Sequence, residues 1–92
     1  MMGYGEIWLT RHQLENVALG VSGHNYGLED CREIIRRSMT LYVQPEDLRE
    51  QWWGRIDGKG VLVVVSAGII DTVSYGAIVT AHEADKPTWW FA

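Results

Sequence analysis

The sequence predicts an α+β domain with two N-terminal helices packed on a four-stranded, mainly antiparallel sheet. Three observations predict it. Leu28, Cys31, Ile34, Ile35 and Met39 recur at helical spacing, with acidic residues at the start of the segment and arginines at its end. Asp57-Gly58 divides two extended stretches, as the turn of a β-hairpin does. Helical signals fill the first half of the chain and strand signals the second, which is the segregation of an α+β domain.

The elements follow in order. Glu6 to Thr10 alternates polar and apolar residues and reads as a first short strand. Thr10 caps the helix that follows, with Gln13 three residues on as in a capping box. Leu14, Val17, Ala18 and Val21 fall on one face of that helix, which the spacing predicts to be buried; Gly20 and Gly23 end it. Ser22 to Gly27 is a polar loop, and the second helix starts near Leu28. Thr40 to Val43 is a short extended segment, and Pro45 to Leu48 a turn or helix start. Gln51 to Ile56 is a strand, Asp57-Gly58-Lys59-Gly60 a hairpin, and Val61 to Ser66 its central partner, broken by Ala67-Gly68. The last strand covers Tyr75 to Glu83, with Gly76 as the expected bulge. Asp85-Lys86-Pro87 closes the sheet. The tail Thr88-Trp89-Trp90-Phe91-Ala92 either packs back or offers an apolar surface.

With 92 residues the expectation is one domain, residues 1–92. The apolar share of 47% is ample for one core and argues against disorder. No apolar run nears the roughly 18–20 residues of a membrane span, so no membrane partner is expected. The first residues carry no basic segment before an apolar one, and the single Cys31 fits a reducing compartment. The expected location is cytoplasmic. A net charge of −4 disfavours broad binding to a phosphate backbone but leaves room for a local basic site.

Three histidines, His12, His24 and His82, carry the acid–base potential. His12 lies where the first strand becomes a helix and His82 near the end of the last strand. If those strands are neighbours, His12 and His82 share a cleft with Thr80 and Arg55. Such a set suits metal-free phosphodiester cleavage. One imidazole accepts the 2′-hydroxyl proton, the other protonates the leaving oxygen, and Arg55 stabilises the phosphorane. Against this, each histidine is equally at home as a surface or capping residue. There is no His-x3-His, Cys-x2-Cys or HExxH pattern, so no metal is expected; there is no GxGxxG or Walker lysine, and no cofactor is expected. Cys31 falls on the apolar stripe and reads as a buried structural thiol.

Arg11, Arg32, Arg36 and Arg37 form either a local basic face for RNA or, given Glu29 and Glu33 one turn away, a salt-bridged solvated face. Five tryptophans are many for this length. Trp52-Trp53 and Trp89-Trp90 are adjacent pairs, and on a strand one of each pair faces away from the other. Exposed Trp89 and Trp90 would stack on bases or anchor a protein partner.

Two segments carry a family likeness: Leu9-Thr10-Arg11-His12-Gln13-Leu14 leading to Tyr26-Gly27-Leu28-Glu29-Asp30-Cys31-Arg32-Glu33-Ile34-Ile35, and Gly60 to Val65 leading to Ala77-Ile78-Val79-Thr80-Ala81-His82. They resemble a family of small bacterial and phage domains that look like distant relatives of RelE- and BrnT-type ribonuclease toxins. The resemblance implies two helices on a four-stranded antiparallel sheet, His12 as the helix-start histidine and Thr80 as the closing-strand threonine. His82 stands where the family often has an aromatic, Glu15 where it commonly has Arg, and the chain is acidic where such toxins are basic. Three functions therefore remain open: a toxin-like ribonuclease, a phage-type or antitoxin-like protein binding a host protein, and a structural homo-oligomer joined through the tail or a strand edge.

Overall fold

The computed structural model describes residues 4–38 and 41–90. In chain order the elements are β1 (Glu6–Leu9), α1 (Arg11–Ala18), α2 (Leu28–Arg37), β2 (Leu41–Val43), β3 (Glu50–Ile56), β4 (Lys59–Ile70) and β5 (Val73–Glu83). The strands form one sheet in the order β1-β5-β4-β3-β2. The architecture is α+β with two helices, as the sequence predicts, but the sheet has five strands and is mixed. Leu41–Val43 pairs with β3 as a three-residue edge strand. β1 runs parallel to β5, because it is joined to the rest by helices and no tight turn forces it antiparallel.

α2 is the helix its pattern describes. Glu29 and Asp30 occupy the first turn and Arg36 and Arg37 the last. Cys31, Ile34 and Ile35 are buried against Trp52, Val61, Val63, Val65, Ile78 and Ala81. Met39, also assigned to this stripe, lies outside the described residues. α1 departs from its pattern. Leu14 and Leu19 are 54% and 79% exposed, Val17 and Val21 also face solvent, and its one buried side chain is Gln13.

The reason lies at the outer edge of β5. β1 pairs with β5 only as far as Ile78, and α1 lies along the edge beyond it. There the edge needs hydrogen-bond partners more than apolar cover. The Thr10 backbone N–H and hydroxyl both donate to the Ile78 carbonyl, at 3.0 and 2.8 Å. Gln13 Oε1 accepts the Ala81 N–H at 3.2 Å, and the Gly23 carbonyl accepts the Glu83 N–H at 2.9 Å. Gln13 Nε2 donates to the carbonyls of His24 (2.7 Å) and Tyr26 (3.0 Å), tying the loop to the helix. Thr10 caps α1 as expected, accepting from the Gln13 N–H at 3.5 Å, but the Gln13 side chain turns to the sheet instead of completing a capping box.

Two hairpins organise the rest. Asp57-Gly58 forms the first, both residues at positive φ (50° and 79°), between paired Ile56 and Lys59. β4 does not break at Ala67-Gly68 but runs to Ile70. It turns at Asp71-Thr72, whose φ angles of 48° and 66° make a second two-residue loop. Gly68 stays in the strand because the Tyr75 ring lies over it, within 2.5–2.6 Å of where a Cβ would stand. The bulge falls at Val79, where pairing shifts from Val64–Thr80 to Val65–Ile78, and not at Gly76. Gly76 instead makes room for the Tyr4 ring. Pro45 to Asp47 is a turn, not a helix start.

Candidate functional site

Cross-strand partners share a face of the sheet, so the ladders decide which side chains meet. Trp52, Val63 and Ala81 form one row on the helix-covered face, in the core. Trp53, Leu62 and His82 form the next row on the opposite, helix-free face; Gln51, Val64 and Thr80 form another, and Arg55 stands beside Gly60. Three of the four catalytic candidates, Arg55, Thr80 and His82, therefore share the helix-free face.

They do not form one compact cluster. The Trp53 indole reaches across Gly60 and donates from Nε1 to the Ala84 carbonyl at 2.9 Å. The Arg55 guanidinium sits 5.1 Å from the Trp53 ring centre, while Leu62 separates Trp53 from His82 in the ladder. The imidazole beside His82 is His24, with ring centres 5.6 Å apart. The Gly23–Glu83 backbone bond brings that loop to the edge of β5. Burial lowers the His82 pKa from its ordinary value, and His24 lowers it further, so His82 is neutral near pH 7 and able to accept a proton. His12 is exposed on the first turn of α1. Sequence reasoning set His12 beside His82; the ring the structure places next to His82 is that of His24. Nothing in the spacing of the Ser22–Gly27 loop shows that it folds back along β5.

The tail packs on the same face. Trp89 stacks on Tyr42 with ring centres 5.7 Å apart and planes at 16°; Trp90 meets Trp53 edge-on at 5.0 Å. Lys86 Nζ also lies 5.7 Å from the Trp90 ring centre, so both tryptophans assigned to binding have partners within the chain. Phe91 lies outside the described residues. Next to Trp90 a cavity of about 150 Å³ is lined by Arg37, Ser38, Trp53, Gly54, Arg55 and Trp90.

The arginines of the helices are largely an ion-paired solvent face. Glu33 meets both Arg36 and Arg37, and Arg11 lies 3.5 Å from Glu15. Arg36 holds the Glu33 carboxyl below its usual range. Arg32 is exposed. Cys31 is fully buried, and burial pushes its thiol up to about 12, which leaves it inert at neutral pH. No three His, Cys, Asp or Glu side chains gather into a metal-holding group among the described residues. Among the described residues no helix is long and apolar enough to cross a membrane.

Sequence reasoning also passed over Tyr4. Its hydroxyl donates to Glu50 Oε1 and accepts the Trp52 Nε1–H at 2.8 Å. Burial first, and Glu50 second, raise its pKa well above the ordinary tyrosine value. No family model, curated protein or solved structure matches the chain.

Proposed function

We propose that the chain is a toxin-like, metal-independent ribonuclease domain whose site is the helix-free face of the sheet around His82. The observation that carries this reading is the pairing of His82 with His24 on the face that also presents Thr80 and Arg55. Neutral His82 takes the 2′-hydroxyl proton, and the freed oxygen attacks the adjacent phosphorus. His24, in its protonated form, delivers a proton to the departing 5′-oxygen, so the proton count balances. Thr80 borders the reacting groups. Arg55, held over the Trp53 ring, supplies positive charge for the phosphates of the bound strand. The RelE/BrnT resemblance implied a four-stranded antiparallel sheet and this one is five-stranded and mixed, so the reading rests on the histidine pair and not on the fold; the net charge of −4 disfavours broad RNA contact outside a local site.

The test is RNA cleavage in EDTA by wild type, His82→Ala, His24→Ala and His12→Ala, each checked as folded by circular dichroism. Cleavage by wild type that falls by about 100-fold or more in the first two variants and persists in His12→Ala is expected. Absence of cleavage by wild type on structured, unstructured and ribosome-bound RNA would refute the reading.

A second reading, association without catalysis, is favoured by the β4–β5 hairpin. Glu50 pairs with Val65, so β3 covers β4 no further, and Ser66 to Ile70 is an edge without a ladder partner among the described residues. It carries no charge and no proline, and Ile69, Ile70 and Val73 are 74%, 58% and 43% exposed. A second copy suits this edge. In an antiparallel pairing centred on Gly68, Ile69 and Ile70 of each copy face Ala67 and Ser66 of the other, large against small. A monomer at every concentration on a sizing column would remove this reading.

A further inference from the structure

We propose that the cavity between Arg37, Arg55 and Trp90 is a binding site for a compact oxyanion of the phosphate class. Its lining offers donors. Arg55 contributes a guanidinium held over the Trp53 ring. Arg37 meets Glu33 through Nε, and the rest of its donor fork remains for a ligand. The Trp90 indole walls the cavity, and its Nε1–H, buried without a hydrogen-bond partner among the described residues, reports on the packing of that wall. The other polar groups of the lining are already engaged. The Ser38 hydroxyl donates to the Trp53 carbonyl at 2.9 Å, and Trp53 Nε1 donates to Ala84. Among the described residues no carboxylate lines the cavity.

Charge and size together select the ligand. The Arg55 guanidinium and the Arg37 N–H groups that Glu33 leaves open favour a group that accepts hydrogen bonds and carries negative charge. At about 150 Å³ the cavity is well below the roughly 300–1,000 Å³ of a drug-sized pocket, so it holds one phosphate group and not a whole nucleotide. The indole edge of Trp90 also gives a flat neighbour for whatever carries the phosphate. The group is either free inorganic phosphate or the terminal phosphate of an RNA strand. The second source rests on the ribonuclease reading; the site itself does not.

The experiment follows the indole N–H resonances of the intact chain by two-dimensional NMR. Trp90 is assigned from its loss in Trp90→Phe. Inorganic phosphate is titrated against chloride at matched ionic strength. A saturable shift of the Trp90 Nε1–H with a dissociation constant of about 1 mM or tighter is expected. Arg55→Gln and Arg37→Gln should each weaken it about tenfold or more. The Trp53 Nε1–H, bonded to Ala84, reports that the fold is kept. A short RNA with and without a 5′-phosphate separates the sources. Tighter binding of the phosphorylated strand than of inorganic phosphate assigns the site to RNA ends, and equal binding assigns it to the free ion. No saturable shift of Trp90, or an undiminished shift in both arginine variants, overturns the proposal whether or not the chain cleaves RNA.

Discussion

The Gln13 side chain takes the place of a strand. It accepts the Ala81 N–H, on the edge of β5 beyond the end of β1, and donates to the loop carbonyls of His24 and Tyr26. A glutamine amide suits this post because one planar group donates twice and accepts twice, here from the Ala81 N–H and from Asn16 Nδ2. Gln13→Leu keeps the volume and removes every bond. With buried polar groups left unpaired at about 1–3 kcal/mol each, it should lose at least about 3 kcal/mol in urea unfolding with the slope unchanged. A loss below about 1 kcal/mol would mean that water replaces the amide. The sequence showed Gln13 only as the third residue of a capping box. Its longer reach was illegible because its strand partner, Ala81, sits 68 residues away.

His82 sets a pH dependence at the same scale. Its folded pKa lies below the ordinary 6.5, through burial first and the facing His24 second. A base depressed in this way favours folding while it is neutral. That contribution is complete above the ordinary value and is lost as pH falls through the folded one. Between about pH 7 and 5 the wild-type melting temperature should therefore fall more steeply than that of His82→Gln. The His82 ring protons followed by NMR should titrate below 6.5. Parallel slopes for the two proteins would show that the pair carries no such linkage.

At the scale of elements, legibility followed how local the deciding physics is. α2 declares itself through a stripe, an acidic start and a basic end, all within ten residues. Asp57-Gly58 declares its hairpin for the same reason. α1 misleads, because its i, i+3, i+4 pattern is real but the edge of β5 recruits the polar face instead. The β4–β5 turn was hidden because Asp71-Thr72 adopts positive φ without the usual glycine or asparagine, while Gly68, the apparent breaker, is kept in the strand by Tyr75. The same hairpin makes the association reading testable. Ile69→Lys places a charge on the open edge and should shift any dimer to monomer in equilibrium sedimentation, leaving the melting temperature nearly unchanged. A dimer that survives the substitution would place its interface elsewhere.

The whole molecule brings its two halves together on one face without merging them. The sequence supplied Arg55, Thr80 and His82, and the ladders do place them on that face. It could not supply the partner of His82, since His24 arrives by a loop fold-back, nor the packing of Arg55 on the Trp53 ring. Single residues of the right type were visible, and their mutual placement depended on register set over the length of the chain.

The parallel seam between β1 and β5 has a consequence for the order of assembly. The meander from β3 to β5 closes two short loops, whereas Thr10 reaches Ile78 across 68 positions. Closing so long a loop costs entropy before any contact repays it, so the nucleus should be the meander with α2 against it, and β1 should dock late. Tyr4→Phe, which strips the hydroxyl from Glu50 and Trp52, should then speed unfolding and leave the folding rate nearly unchanged in stopped-flow chevrons, a φ-value near zero. A value near one would make the N-terminal strand part of the nucleus. On the expected order, a chain still emerging during synthesis holds β1 and α1 idle until the last strand is made, and their edge-seeking groups, Thr10 and Gln13 among them, have no partner until then.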